Sequence, residues 1–129
     1  MALTALDLPS DTLKQYHPLK AIRRRKAKMS GEISKRRRRA LTAARKASEL
    51  LKSKFGAKEV ILFGSLARRG AFTLFSDIDL AARGISSDRF FEAIDVVLGL
   101  SAEFKIDLVE IKNSSPALLK NIEKDGKFL

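Results

Sequence analysis

The sequence contains no cysteine, which excludes a disulfide framework and any metal site built on thiolates. It has no apolar run close to the roughly 20 residues that a helix needs to span a bilayer. The first ten residues lack both a basic start and a long apolar segment, so they do not resemble a signal peptide. We therefore expect a cytoplasmic protein without a membrane association.

Two common nucleotide-binding patterns are also missing, because neither a Walker loop nor a Gly-x-Gly-x-x-Gly run occurs in the chain. The only histidine is His17, which lies outside the expected core and is predicted to be a surface residue and not a catalytic base.

The net charge of +11 is confined to the N-terminal part of the chain. Residues 1–54 contain 16 Lys and Arg against 4 Asp and Glu, whereas residues 55–129 contain 10 against 11. The runs "RRRKAK" and "KRRRR" predict contact with nucleic acid or an acidic partner, or else a solvated helix face. Aromatic side chains that stack on bases are absent from residues 23–39, which contain both runs, so any nucleic-acid contact would be to phosphate and independent of sequence.

The apolar pattern predicts the order helix, strand, strand, helix, strand, helix. The segment from Asp11 to about Lys28 is helix-tolerant but is interrupted at His17-Pro18. Ser30 is a candidate N-cap for a second helical start, and Gly56 ends that helix. The runs "EVILF", "DIDLAAR" and "KIDLVEI" predict strands. The last helix is expected to begin at Ser115-Pro116 and to stop at Gly126. The second helix should place one apolar face on the core, made of Phe90, Phe91, Ile94, Val97 and Leu98.

The four arginines at 36–39 divide the first helix into two parts. Arg36 and Arg37 fall on the same stripe as Ile33 and Ala40, and burying that stripe would leave unpaired charge in the core. We therefore expect the helix to pack only from Ala40 onward, with a basic helical extension at 1–39 and a folded domain at 40–129.

Two carboxylates, Asp77 and Asp79, flank one isoleucine on the second predicted strand. Residues i and i+2 of a strand point to the same side, so these two side chains should point together. Asp107 has the same position on the third strand. If the two strands are neighbours, three carboxylates converge and repel one another unless a cation lies among them. Such oxygen ligands suit Mg²⁺ or Mn²⁺.

The turn at Gly64 and Ser65 provides the complementary half of a site. A glycine allows the backbone to approach an anion closely, and the Ser65 hydroxyl and following N–H groups can donate to phosphate. Arg68 and Arg69 lie within reach of the same phosphates. Together with the metal, these residues predict a site for ATP or another nucleoside triphosphate.

The motifs "GSLARRG…SDIDL" and "IDLVEI" resemble the nucleotidyltransferases of the DNA polymerase β superfamily, above all their small bacterial and archaeal members, the minimal nucleotidyltransferases. The resemblance covers roughly residues 40–129. It implies an α/β (α+β) fold, a small mixed sheet with helices packed on one face. It also implies two divalent metals held by Asp77, Asp79 and Asp107, and a triphosphate held by Gly64, Ser65 and an arginine.

The chain departs from the family pattern in one place. The family usually has one residue fewer between the serine and the first aspartate, and a single arginine before the glycine. Either Arg68 or Arg69 can therefore take the position of the family's arginine.

The resulting hypothesis is a metal-dependent nucleotidyltransferase that transfers a nucleoside monophosphate, AMP from ATP in the first instance, to a hydroxyl on a partner. Some members of the resembled group are antitoxins that modify a tyrosine of a HEPN-domain toxin encoded beside them, which implies a HEPN-type partner here. The alternative is a non-catalytic nucleotide-binding module that binds a protein or nucleic acid through its basic helix. Homo-oligomerisation is left open.

Overall fold

The computed structural model describes residues 18–129, so His17 lies outside the described part. Residues Ile33–Leu129 form one compact unit, and the described residues before Ile33 belong to a separate one. In chain order, the elements are α1 (Pro18–Phe55), β1 (Glu59–Phe63), β2 (Ile78–Arg83), α2 (Ser87–Leu98), β3 (Ile106–Glu110), a short 3-10 turn (Ile111–Asn113), α3 (Pro116–Asp125) and β4 (Lys127–Phe128). The predicted order is confirmed for all six elements that the sequence indicated.

Helix α1 is continuous, so the prediction that a helix begins at Ser30 is wrong. Gly31 lies within the helix at a cost of roughly 1 kcal/mol relative to alanine, and the neighbouring lysines, arginines and alanines are good helix formers that offset this cost. Pro18 occupies the first helical position, where its missing N–H has no intrahelical role. Gly56 follows the last residue with φ of 73° and ends the helix as predicted.

The four strands form one mixed sheet in the order β3-β2-β1-β4. Strand β1 is antiparallel to both β2 and β4, whereas β2 and β3 are parallel. The sequence did not indicate β4, because a strand of two residues has no periodicity to detect. It is fixed by pairing with β1, and the N–H of Leu129 extends the ladder by donating to the carbonyl of Val60 at 2.9 Å. The predicted fold class is confirmed.

Alternate residues of the strands enter two separate apolar clusters. Val60, Leu62 and Leu80 join the larger cluster with the buried residues of α1 and α2. The intervening Ile61 and Phe63 join a smaller one with Ile122 of α3. The expectation that all helices pack on one face therefore needs a correction: α1 and α2 cover one face, and α3 lies against the other.

Arg36 corrects the expected start of packing on α1. Its guanidinium lies 4.5 Å from the ring centroid of Phe104, donates to the carbonyl of Ser76 at 3.2 Å and lies 3.7 Å from Glu103. The charge on the apolar stripe is thus paired inside the fold, and α1 packs from Ile33 onward, not only from Ala40. The division into an extension at 1–39 and a functional domain at 40–129 stays a prediction.

Helix α2 also differs from its predicted packing at two positions. Ala93 and Val97 are buried, but Phe91 is 77% exposed and Leu98 is 41% exposed, and neither belongs to the core face. Among residues 18–129, no helix combines the length and the apolar character that crossing a membrane requires.

Candidate functional site

The parallel pairing of β2 with β3 places Asp79 directly beside Asp107. Both side chains are half-buried, and both point to the face of the sheet that carries α3, since Ala81 two residues beyond Asp79 belongs to the cluster under that helix. Asp77 is exposed and lies just before β2. The N–H of Ile78 donates to the carbonyl of Lys105 at 3.0 Å, which holds the start of β2 against the segment that leads into β3.

Burial raises the pKa of Asp79, and repulsion from Asp107 and then from Asp77 raises it further. Lys105 acts in the opposite direction and lowers the pKa of Asp79. The Lys105 ammonium lies 3.6 Å from the Asp107 carboxylate. Three carboxylates are therefore close enough to influence one another, with one lysine to offset them, and this arrangement favours the binding of a cation.

The carboxylate cluster of Asp77, Asp79 and Asp107 does not form a closed metal cage. Within residues 18–129, no three Asp, Glu, His or Cys side chains lie close enough together to enclose a metal ion. Mg²⁺ does not require such a cage, because it is commonly held by one or two carboxylates and completes its octahedron with water and substrate phosphate oxygens. Asp79 and Asp107 fit this requirement as paired oxygen donors. The participation of Asp77 in the same ligand set stays a prediction.

Gly64 ends β1 at the edge of this carboxylate cluster. Its φ is 74°, and a Cβ built on it would overlap the Oδ2 atom of Asp79 and lie 3.2 Å from the Cγ atom. A side chain at position 64 would therefore occupy the space of the Asp79 carboxylate. The chain then turns tightly, with the N–H of Ala67 donating to the carbonyl of Gly64 at 3.2 Å and that of Arg68 to the carbonyl of Ser65 at 3.3 Å.

The two candidate arginines line different cavities. Arg68 and Gly64 line a cleft of about 150 Å³ whose other wall comes from Asn121 and Asp125 of α3. Arg69 lines a separate cavity together with Arg37. Arg68 is thus the arginine that shares a cavity with the Gly64 turn.

The structure brings together Gly64, Asp79 and Asp107, with Asp77 and Arg68 beside them. Arg69 lines a different cavity from Arg68. Sequence reasoning missed the two α3 residues that line the Arg68 cleft. No local pattern marks Asn121 or Asp125, and only the packing of α3 on this face brings them there. The functional roles of all these residues stay predictions.

Comparisons with known proteins agree with this geometry. Residues 45–129 match the model of the family described as "Polymerase beta, Nucleotidyltransferase". No curated protein is significantly similar to the chain.

Similar solved structures include a chain from a mutant of the toxin–antitoxin MntA–HpeT. It is 26% identical, the match covers 66% of this chain and 69% of that one, and the TM-score is 0.54. A toxin–antitoxin structure with AMP-PNP is 24% identical over 66% and 70% of the two chains, with a TM-score of 0.55. A complex of the tri-AMPylated HEPN toxin of Shewanella oneidensis with its MNT antitoxin is 22% identical over 69% and 70%, with a TM-score of 0.52. The last two show a shared fold.

Proposed function

Because the chain belongs to the polymerase β nucleotidyltransferase family, we propose that it transfers AMP from ATP to a hydroxyl group on a partner protein. The nucleotidyltransferase class follows from the family. The choice of nucleotide and acceptor is motivated by the toxin–antitoxin complexes that share the fold, one of them with AMP-PNP and one with an AMPylated HEPN toxin.

The observation that carries the proposal is the pairing of Asp79 with Asp107 against Gly64. Two half-buried carboxylates beside a turn whose left-handed backbone favours glycine provide a place for a cation and for an anionic substrate at once. An isolated Asp-x-Asp pair lacks both the carboxylate on a neighbouring strand and the glycine turn.

In the proposed reaction, the oxygen of the acceptor hydroxyl attacks the α-phosphorus of ATP. One oxygen–phosphorus bond forms, the bond from the α-phosphorus to the bridging oxygen breaks, and pyrophosphate leaves. Asp107 accepts the proton of the hydroxyl, since its carboxylate lies beside Asp79 at the centre of the site. Ser65 and Arg68 hold the triphosphate by donating to its oxygens, and Gly64 lets the backbone approach them.

Mg²⁺ or Mn²⁺ held by Asp79 and Asp107, with Asp77 beside them, would lower the pKa of the acceptor hydroxyl and neutralise the charge that develops on the leaving group. The chain's own contribution is to fix the two paired carboxylates on neighbouring strands, so that little rearrangement is needed when the substrates bind.

The acceptor has to be held within about 3–3.5 Å of the phosphorus for in-line attack, and loss of that positioning lowers the rate by orders of magnitude. We propose that a HEPN-type partner protein presents the hydroxyl, and we expect transfer by the chain alone to be slow.

The experiment incubates the protein with α-labelled ATP and Mg²⁺, with and without the product of the neighbouring gene, and follows the label by gel electrophoresis. We expect label on the neighbour with wild-type protein and none with Asp79→Asn. The matched control is Asp95→Asn, which removes an exposed carboxylate of α2 and should leave labelling unchanged. Equal labelling by wild type and Asp79→Asn would refute the catalytic assignment.

Complete absence of label, with ATP binding retained, would favour the binding module instead. In that case the basic segment at the N-terminus would carry the function, as its excess of 16 Lys and Arg over 4 Asp and Glu in residues 1–54 suggests.

A further inference from the structure

A second cavity, of about 450 Å³, shares no lining residue with the carboxylate cluster. Three cationic side chains line it, and each comes from a different part of the fold: Arg37 from α1, Arg69 from the loop after β1 and Lys127 from β4. We call this cavity the basic pocket. The buried Phe72 and the exposed Ser34 also line it.

The arginine run on α1 divides between two environments. Arg36 and Arg39 both pair with Glu103, and Arg39 does so with an N–O distance of 2.8 Å. Arg37 instead lines the basic pocket and is half-buried there. None of the three pocket cations forms an ion pair within the described range 18–129, and no acidic residue lines the pocket.

Like charges gathered in one concavity repel one another, and the walls of a concavity reduce the screening by water. An anion in the basic pocket would remove that repulsion and would receive donors from three sides. The two guanidinium groups offer the forked donor geometry that suits phosphate oxygens. The lysine adds a point charge.

We propose that the basic pocket binds phosphate groups and is a site separate from the nucleotide site at Gly64 and Arg68. Phosphate is favoured over carboxylate because three cations exceed the single charge of one carboxylate, whereas pyrophosphate or three neighbouring phosphodiesters carry about three negative charges. Phe72, the aromatic residue in the lining, is buried and therefore not open to stacking on a base, so we expect this recognition to be independent of base sequence. The inference does not rest on the transfer reaction, since binding can be measured without it.

The test uses two probes, a single-stranded RNA of about 20 nucleotides and inorganic pyrophosphate, and measures affinity at several salt concentrations. The pocket variant carries Arg37→Gln, Arg69→Gln and Lys127→Gln. The control variant carries Arg38→Gln, Lys46→Gln and Lys112→Gln, which removes the same charge from exposed positions outside the pocket. Thermal melting shows whether both variants are folded.

Each phosphate contact to a single strand contributes about 0.7 to the slope of log affinity against log salt, so three lost contacts should make the slope shallower by about 2. The affinity ratio of wild type to pocket variant should then be roughly 15–20-fold larger at 50 mM than at 200 mM salt. The control variant should change the slope much less.

If the pocket variant loses binding to RNA alone, the pocket is assigned to nucleic-acid phosphates. If the pocket variant also loses pyrophosphate binding, and Arg68→Gln keeps it, the pocket is assigned to free phosphate compounds as well. Either result supports the proposal. Equal effects of the pocket and control variants would show diffuse surface charge and overturn it. Binding of poly-glutamate with the affinity of RNA, and equally sensitive to the pocket variant, would overturn the assignment to phosphate.

Discussion

Replacing Gly64 by alanine tests the contact on which the candidate site depends. The residue has φ of 74°, a left-handed conformation that costs an L-amino acid with a Cβ about 1–2 kcal/mol. The new methyl group would also overlap the carboxylate of Asp79. Because Asp79 is held between β1 and β3, its side chain must leave its present rotamer, at a further cost of about 1–3 kcal/mol.

Gly56 provides a matched control, because its φ is 73° and nothing lies within 4 Å of a Cβ built on it. Gly56→Ala should therefore lower the free energy of unfolding only by the cost of the left-handed backbone conformation, about 1–2 kcal/mol. The excess cost of Gly64→Ala, about 1–3 kcal/mol, measures the contact with Asp79. For a domain of this size, each kcal/mol lowers Tm by about 4 °C or more.

The assay is chemical denaturation of both variants, together with Mg²⁺-dependent binding of ATP. We expect Gly64→Ala to lose ATP binding and Gly56→Ala to retain it. In the Asp79→Ala background, Gly64→Ala should cost little more than Gly56→Ala, because the overlapping carboxylate is gone. Equal losses of stability for the two glycine variants in the wild-type background, with ATP binding intact in both, would refute the reasoning.

Three further predictions follow from the charged groups. Arg36→Ala should lower the free energy of unfolding by about 3 kcal/mol in urea denaturation, since it removes a charge-assisted hydrogen bond worth about 1.5–3 kcal/mol and a ring contact worth about 1 kcal/mol. The control Arg38→Ala, at an exposed position, should change the free energy of unfolding by less than about 0.5 kcal/mol. Equal effects of the two variants would contradict the burial of Arg36. The pKa of Asp79 is raised on folding, so the stability linked to its protonation is present below the unfolded pKa of about 4 and is lost as pH rises through the folded pKa. Asp79→Asn should accordingly raise Tm at pH 7 without metal and abolish the rise in Tm that Mg²⁺ causes in wild type. If Mg²⁺ changes Tm in neither protein, the result would argue against the cation site. The hydrogen bond from Arg39 lowers the pKa of Glu103, so its stabilisation is present above about pH 4.3 and disappears as pH falls through the folded pKa; a melting series should show that Glu103→Gln is less acid-sensitive than wild type.

The local elements were predictable from the sequence because their causes are local. The alternation in "DIDLAAR" has a period of two, which forces Asp77 and Asp79 to the same side of any strand that contains them. Ser115 accepts a hydrogen bond from the N–H of Leu118 as an N-cap, with proline directly after it, and Gly126 ends α3, as their types indicated. The three motifs of the candidate site were found in the same way.

The packing of α1 was not predictable, because the partners of Arg36 are distant in sequence. A charge on an apolar stripe is expensive only when it is unpaired, and the pairing here comes from Ser76, Glu103 and Phe104. No window around residue 36 contains them. The expectation that packing begins at Ala40 holds for an isolated helix, in which Arg36 has no partner. It is wrong for α1, because the folded domain supplies partners for Arg36.

The sequence by itself determined which residue types are present and to which side of its own strand each carboxylate points. Only the tertiary structure decided that β2 lies parallel to β3 in the register that pairs Asp79 with Asp107. It also decided that Arg68 lies beside Gly64 whereas Arg69 joins Arg37 and Lys127. The physical reason is that side-chain direction follows from backbone geometry over two or three residues, whereas register and cavity membership depend on how segments far apart in the chain bury their apolar faces together.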